Sequence, residues 1–186
     1  MNYFLGLEIG HKHGQYSVSV TNYIERVAEE FGLRDAKSAK SPMDTGYTKT
    51  EDKSPALSDI TAYRSLVGAL LYIAVCARPD IAACVSILGR KVSAPTEVDW
   101  VAAKRVVRYL KTTKDWKLKF GTSDGLIGYS DADWAGDIET RKSTTGFVFH
   151  YAGGAVSWVS RRQNCVTLSS MECYRQHRQQ WNVRPC

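Results

Sequence analysis

The sequence lacks the cysteine pattern of a disulfide-stapled or zinc-binding protein. Its 186 residues include five cysteines, an odd number, and no two of them form a Cys-x-x-Cys pair. Disulfide frameworks use paired cysteines, and ribbon or finger zinc sites use closely spaced ones. We therefore expect a protein of a reducing compartment whose fold depends on neither cross-links nor zinc.

Long apolar runs and a secretory signal are also missing. The longest apolar runs, such as residues 68–76, are far shorter than the roughly 20 residues that a membrane span requires. The N-terminal residues carry an early acid and no basic region, which argues against a secretory signal. We expect no membrane partner and an intracellular location, and the sequence does not decide between cytoplasm and nucleus.

The composition is that of an ordinary globular chain, but the charge is unevenly distributed. Hydrophobic residues make up 44% and charged residues 24% of the sequence, and the net charge is +6. Residues 90–119 hold nine basic and three acidic residues, so their net charge equals the net charge of the whole chain. Residues 124–139 hold five acidic residues and no basic one. A basic segment beside an acidic cluster suits a polyanion-binding surface next to a metal site. Taken alone, each run is more typical of solvated surface.

Residues 1–120 predict a β-hairpin followed by helices. Segments 4–9 and 15–20 contain β-favouring residues that alternate with a period of two, and they flank a polar turn. After them, apolar residues recur at helical spacing. The predicted helices cover residues 22–31, 59–77, 80–91 and a segment that begins at 96. Thr21 and Thr96 are predicted N-caps, and Gly32 a stop signal. The polar segment 35–58 is expected to be an exposed connection.

Residues 121–186 change to β-strand patterns. One short strand is predicted just before this region, at 116–120, and three lie within it, at 126–129, 145–151 and 155–161. A helix is predicted to start at Ser169. The fold class is therefore α+β, with a β-hairpin and helical region followed by an α/β region.

Two acidic motifs suit metal chemistry. Asp131 ends a predicted strand, and Glu172 lies in the first turn of the helix predicted at Ser169. Phosphodiester hydrolysis by two metal ions needs several carboxylates around ions about 4 Å apart, and Mg²⁺ prefers oxygen ligands. Spacing alone fits an acidic turn at Asp131 and a helix-capping acid at Glu172 at least as well.

The helix predicted from Thr96 carries a basic face. Lys104, Arg108 and Lys111 recur at intervals of four and three residues, so they share one side of the helix. Such a face is suited to contacts with backbone phosphates, which are blind to base sequence and sensitive to salt.

Eight motifs together resemble one protein family. They are residues 3–8 (YFLGLE), 63–72 (YRSLVGALLY), 77–81 (ARPDI), 104–111 (KRVVRYLK), 129–137 (YSDADWAGD), 141–149 (RKSTTGFVF), 155–158 (AVSW) and 168–172 (LSSME). In this order and spacing they resemble the Pol polyprotein of copia-type LTR retrotransposons, from residue 1 to about residue 174.

The resemblance implies the end of a reverse transcriptase followed by a truncated RNase H-like domain. Residues 1–38 would be the end of the palm, 39–58 a linker, 59–120 the helical thumb and connection, and 121–174 the RNase H-like domain. Asp131 would be the first Mg²⁺-binding aspartate. The expected ligand is an RNA–DNA hybrid or another nucleic-acid duplex. The residues that would contact it are the primer-grip turn Phe4, Leu5 and Gly6 and the bases Lys104, Arg105, Arg108 and Lys111.

The sequence departs from this family at both catalytic centres. It has no Tyr-x-Asp-Asp element of the polymerase. Where the family has Ser-Ser-x-Glu-Ala-Glu-Tyr, residues 169–174 retain one acid, Glu172, and residues 175–186 look like an unrelated tail. A shift by one residue turns a helix position by about 100°, so Glu172 is a poor substitute for the family's ligand. We therefore expect a catalytically inactive polyprotein fragment that retains duplex binding, with residues 121–186 poorly stable alone.

Two alternatives stay open at this stage. The first is a residual metal-dependent RNase H activity carried by Asp131 and Glu172 with nearby acids such as Asp133 or Asp137. The second is a co-opted, non-catalytic interaction protein, whose protein partners the sequence does not identify.

Overall fold

The computed structural model describes residues 2–48, 54–133, 136, 140–164 and 166. Over these ranges the chain has two antiparallel sheets and four α-helices, and this agrees with the predicted mixture of helices and strands. None of the helices in these ranges is both long and apolar enough to cross a bilayer. The elements are β1 (Asn2–Phe4), β2 (Leu7–Lys12), β3 (Gln15–Ser19), α1 (Thr21–Glu30), α2 (Ile60–Cys76), a 3₁₀ turn (Pro79–Ile81), α3 (Ala82–Gly89), α4 (Glu97–Thr112), β4 (Leu118–Phe120), β5 (Ile127–Ala132), β6 (Thr144–Tyr151) and β7 (Gly154–Arg162).

The first sheet has the strand order β1-β2-β3-β4 and is larger than the predicted hairpin. The single strand predicted over 4–9 is wrong, because a tight turn at Leu5 and Gly6 folds β1 back on β2, and Phe4 pairs with Leu7. Both turn residues have positive φ, 49° and 80°, as a two-residue hairpin of the primed type requires. β4 pairs with β3 and closes the other edge.

The start of α1 differs from the prediction that Thr21 is its N-cap. The Thr21 hydroxyl instead donates to the carbonyl oxygen of Lys114, at 3.1 Å. The buried Glu8 carboxylate on β2 accepts from the backbone N–H of Asn22, at 2.7 Å, and from the Ser19 hydroxyl, at 3.2 Å. A side chain from a neighbouring strand therefore satisfies one of the free N–H groups of this helix.

Helix α4 is capped as its local sequence predicts. The Thr96 hydroxyl accepts from the Asp99 N–H, and the Asp99 carboxylate accepts from the Thr96 N–H, which together form a capping box. Helix α2 buries an apolar stripe that includes Ile73, while Leu71 on its other side is exposed. Helices α1 to α4 pack around one apolar core, whose fully buried members include Ile24, Tyr63, Leu66, Leu70, Ile73, Ile81, Leu88, Val106 and Leu110.

In its described residues, 35–48 and 54–58, the segment 35–58 is a connection with many exposed residues, as its composition predicts, but it is also anchored in the core. Ala39 and Leu57 are buried in the main core. The backbone N–H of Leu57 donates to Pro95, and the N–H of Glu97 donates to Pro55, so this stretch pairs with the entry to α4. Two buried apolar residues and these backbone hydrogen bonds therefore contribute to holding it against the helices.

The second sheet, β5-β6-β7, packs on the helical region through β7 and α3. The indole N–H of Trp158 on β7 donates to the carbonyl oxygen of Ala74 near the end of α2, at 2.8 Å. The predicted strands are found with shifted ends, and β5 extends to Ala132, so Asp131 lies inside the strand. The helix predicted at Ser169 lies outside the described residues.

Candidate nucleic-acid interface

The turn Phe4-Leu5-Gly6 projects two apolar side chains into solvent, with Phe4 62% and Leu5 76% exposed. The Tyr72 hydroxyl of α2 donates to the carbonyl oxygen of Leu5 and fixes the turn against the helix. A Cβ atom on Gly6 would lie 3.0 Å from this hydroxyl, and Gly6 has a φ of 80°. The position therefore favours glycine through both its backbone conformation and its close packing.

Lys104 and Arg108 lie one turn apart on α4 and are half-buried. The Lys104 ammonium lies 5.1 Å from the ring centroid of Trp100, which in turn contacts the edge of Phe31. The aliphatic stem of Lys104 is therefore supported by an aromatic surface, while its ammonium group stays at the protein surface. Within the described part of the chain, the buried Nε of Arg108 has no hydrogen-bond partner.

Arg105 and Lys111 use their donors inside the protein. The Arg105 guanidinium donates to the Ser41 hydroxyl, at 3.0 Å, and lies 3.5 Å from the Asp44 carboxylate. The Lys111 ammonium donates to the backbone carbonyls of Leu33, at 2.7 Å, and Arg34. These two cations therefore hold residues 33–44 against α4, so the structure divides the predicted basic face into two pairs with different surroundings.

The described acidic residues on β5 and directly after it do not by themselves make a metal centre. One oxygen of the exposed Asp131 accepts from the Ala132 N–H, at 2.8 Å, and the Asp133 carboxylate accepts from the Thr144 N–H. Glu172 and Asp137 lie outside the described residues. Among the residues that are described, no group of three or more His, Cys, Asp or Glu side chains could hold a metal ion. Asp131 has the right donor chemistry for Mg²⁺, but the described set does not fit the ion, and no hydrolytic step follows from it.

An ion pair between the buried Arg78 and the partly exposed Asp80 fixes the loop before α3, and sequence reasoning gave it no role. The Arg78 side chain is 3% exposed and donates to both carboxylate oxygens of Asp80, at 2.9 and 2.7 Å. It also donates to the carbonyl oxygen and the hydroxyl of Thr113, at 3.0 and 2.6 Å, and the Tyr109 hydroxyl donates to Asp80, at 2.8 Å. The only sequence signal was the ARPDI motif, because the partners on and after α4 are distant in the chain.

The electrostatics of this pair follow from its partners. Burial by itself raises the pKa of the Asp80 carboxyl. The hydrogen bonds and charge of Arg78, with the hydrogen bond from Tyr109, outweigh this effect and hold the pKa below its ordinary value. Asp80 is therefore ionised in the folded chain at neutral pH and compensates the Arg78 charge.

A groove between the two sheets is a second feature that sequence reasoning missed. It has a volume of about 740 Å³ and lies between β4, the start of α3 and one face of β5-β6-β7. Asp131 lines it, together with aromatic residues of the second sheet, Lys119 of β4 and Lys117 directly before that strand. No residue of α4 is among the described residues that line it, so it is separate from Lys104 and Arg108. The sequence signal for this groove is the alternation of Lys117 and Lys119 around the start of β4 and of Tyr129 and Asp131 in β5.

Comparison with known proteins identifies similar sequences. The chain is 42% identical over 164 residues to the retrovirus-related Pol polyprotein from transposon TNT 1-94 of Nicotiana tabacum, a match that covers 83% of this chain and 12% of that polyprotein. It is 36% identical over 176 residues to an uncharacterized mitochondrial protein of Arabidopsis thaliana, with 92% of this chain and 72% of that protein covered. It is 51% identical over 113 residues to secreted RxLR effector protein 161 of Plasmopara viticola, with 59% and 79% covered. No protein-family model and no solved structure matches the chain.

Proposed function

From the premise that the chain belongs to the family of copia-type retrotransposon Pol polyproteins, we propose that it binds an RNA–DNA hybrid or another nucleic-acid duplex without catalysing a reaction. The chain spans 12% of the length of the tobacco polyprotein that it matches. The activities of such a polyprotein are therefore not transferred to it as a whole, and the proposal is limited to the surfaces of this chain.

The observation that carries the proposal is the pair Lys104 and Arg108 on α4. Four residues of helix separate them by about 6 Å along the axis, so both face the same side. The capping box at Thr96 and the buried apolar residues of α4 make the helix a rigid support for these cations. Lysine and arginine on such a support neutralise phosphates of any base sequence.

The turn Phe4-Leu5-Gly6 supports a second contact in this proposal. It is exposed, held in place by Tyr72, and bends through positive φ at Leu5 and Gly6. The space that a side chain at Gly6 would fill is taken by the Tyr72 hydroxyl, so the turn offers a duplex the exposed side chains of Phe4 and Leu5 and the exposed main chain of Gly6. Phe4, Leu5 and Gly6 thus stay predicted contacts of the duplex.

The proposal includes an RNase H-like origin for the region that contains the second sheet, with a hydrolytic centre that does not function. The antiparallel sheet with Asp131 on its first strand is compatible with this origin. The reduced acid pattern at residues 169–174 favours the loss of activity, and among the described residues no group of three or more His, Cys, Asp or Glu side chains could hold a metal ion. Mg²⁺ would find one fitting carboxylate at Asp131.

Binding and cleavage of a labelled RNA–DNA hybrid by the purified chain test the proposal. We expect binding at about 50 mM salt that weakens at least tenfold by about 200 mM, because each phosphate contact contributes about 0.9 to the salt exponent. With Mg²⁺ or Mn²⁺ added, the RNA strand should stay intact. Absence of binding at low salt would contradict the proposal. Metal-dependent cleavage that is lost in Asp131→Asn would establish the ribonuclease alternative instead, and salt-resistant capture of a protein would favour the interaction protein.

A further inference from the structure

Helix α2 has the sequence of a helix that is buried on all sides. Its residues 66–76 include no charged residue, and a helix that is apolar all round is normally surrounded by other elements. In this chain one side of α2 packs in the core, where Leu66 and Leu70 are fully buried, whereas Leu71 is 53% and Val75 65% exposed on the other side. The outer side of α2 therefore has the composition of an interface.

The outer side of α2 is a neutral stripe. Gly68, Leu71 and Val75 follow one another at intervals of three and four residues and are all exposed, so they share one side of the helix. Within the described part of the chain, a side chain on Gly68 would point into open space, so another element can pack closely there. Arg64 is the only charged residue of α2, and its guanidinium donates to the carbonyl oxygen of Val92, at 2.8 Å.

The turn between β1 and β2 extends this stripe. Tyr72, which follows Leu71 in α2, donates to the carbonyl oxygen of Leu5, so the turn lies against the helix. The turn side chains Phe4 and Leu5 are 62% and 76% exposed. We call the stripe and these two turn residues the apolar patch. Apolar patches of several hundred Å² on a soluble chain mark interaction sites.

The size and the neutrality of the apolar patch suit a second copy of the chain. Its four large side chains, Phe4, Leu5, Leu71 and Val75, are each more than half exposed and together offer on the order of 500 Å². Two such patches in contact would bury about 1,000 Å², the lower end of the range of specific interfaces. A neutral patch does not attract a polyanion, and its partner must present a neutral apolar surface. The chain itself carries such a surface, and a two-fold axis would bring it against its own copy.

We propose that two copies of the chain associate through the apolar patch, with α2 of one protomer packed on α2 of its partner across a two-fold axis. An interface of this size gives a reversible dimer with a Kd on the order of micromolar. Because apolar burial holds it, raising the salt concentration does not weaken it. Phe4 and Leu5 are also predicted contacts of the duplex, so association is measured without nucleic acid, and its outcome is independent of the proposed function.

Sedimentation equilibrium of the full chain, freed of nucleic acid, tests the association. Between about 1 and 100 μM, we expect the average mass to rise from one chain towards two and to stop there, at low and at high salt alike. The mass of a single chain at about 100 μM would overturn the proposal. A mass that continued to rise beyond two chains would also overturn it, because a self-complementary patch is fully used in a dimer.

Three variants locate the contact. Leu71→Gln/Val75→Gln is expected to weaken association at least about tenfold, because it removes apolar area from the stripe. The matched control, Val98→Gln/Val101→Gln, removes two exposed valines from α4 and should leave association unchanged. Gly68→Gln should weaken association and yet raise the Tm of the monomeric chain, since the position is open and glycine is a poor helix former. Equal effects of the α2 and α4 pairs, or full association of Gly68→Gln, would overturn the proposal.

Discussion

Replacing Asp80 by alanine is expected to lower the free energy of unfolding by about 2–3 kcal/mol, because it leaves the buried Arg78 guanidinium without its carboxylate partner, although Asp80 itself is partly exposed. The Arg78 side chain is 3% exposed, and Asp80 provides the carboxylate for two of its hydrogen bonds. Without Asp80, a buried guanidinium is left with Thr113 and two aromatic rings, Tyr109 and Trp116, as partners. These contacts satisfy part of its hydrogen bonding but do not compensate its charge.

Urea denaturation monitored by tryptophan fluorescence measures this loss of stability. Two further variants show whether the loss comes from the uncompensated charge of Arg78. Arg78→Met/Asp80→Ala should cost less than Asp80→Ala, because it removes the buried charge along with its partner. Glu29→Ala removes an exposed ion pair with Arg34 and should change stability by no more than about 0.5 kcal/mol. If Asp80→Ala changed the free energy of unfolding as little as Glu29→Ala does, the ion pair of Arg78 and Asp80 would not stabilise this fold.

Removing the charges of Lys104 and Arg108 is expected to reduce hybrid affinity at least tenfold at low salt. Each lost phosphate contact lowers the salt exponent by about 0.9, so Lys104→Gln/Arg108→Gln should lower it by about 2. The matched control is Lys12→Gln/Arg161→Gln, which removes two exposed charges from the two sheets and should leave the exponent nearly unchanged. Anisotropy titrations of a labelled hybrid across a salt series measure both quantities.

The other two basic residues of α4 should behave differently. Arg105 and Lys111 bind Ser41 and the backbone of residues 33–34, so Arg105→Gln/Lys111→Gln should mainly lower stability. A drop in the salt exponent as large as that of the Lys104 and Arg108 pair, with unchanged stability, would show that the four residues act as one face. The division between the two pairs would then be wrong.

Interactions between near neighbours in sequence could be predicted, and those between distant residues could not. The cap at Thr96 depends on Asp99, three residues away, and the stop at Gly32 depends on its own φ of 65°. The cap of α1 depends on Glu8, which β2 brings to Asn22 from 14 residues away. The local sequence therefore favoured Thr21 as the N-cap, because threonine is a common residue at that position. In the fold, the Thr21 hydroxyl binds the carbonyl oxygen of Lys114 instead.

The candidate site shows the same limit. Helical spacing correctly placed Lys104, Arg108 and Lys111 on α4, but the partner of Arg105 is 64 residues away and that of Lys111 is 78 residues away. Only the packing of residues 33–44 on α4 shows that two of these cations have internal partners. Composition similarly predicted the connection but not its anchoring, since it gives no weight to isolated apolar residues such as Ala39 and Leu57 that reach the core.

Lysine acetylation of the chain, free and saturated with an RNA–DNA hybrid, followed by mass spectrometry, tests the proposed interface most directly. We predict that the hybrid protects Lys104 at low salt, that protection is lost at high salt, and that Lys12 on the first sheet reacts equally in both states. Equal acetylation of Lys104 in the free and saturated chain would contradict duplex binding through α4.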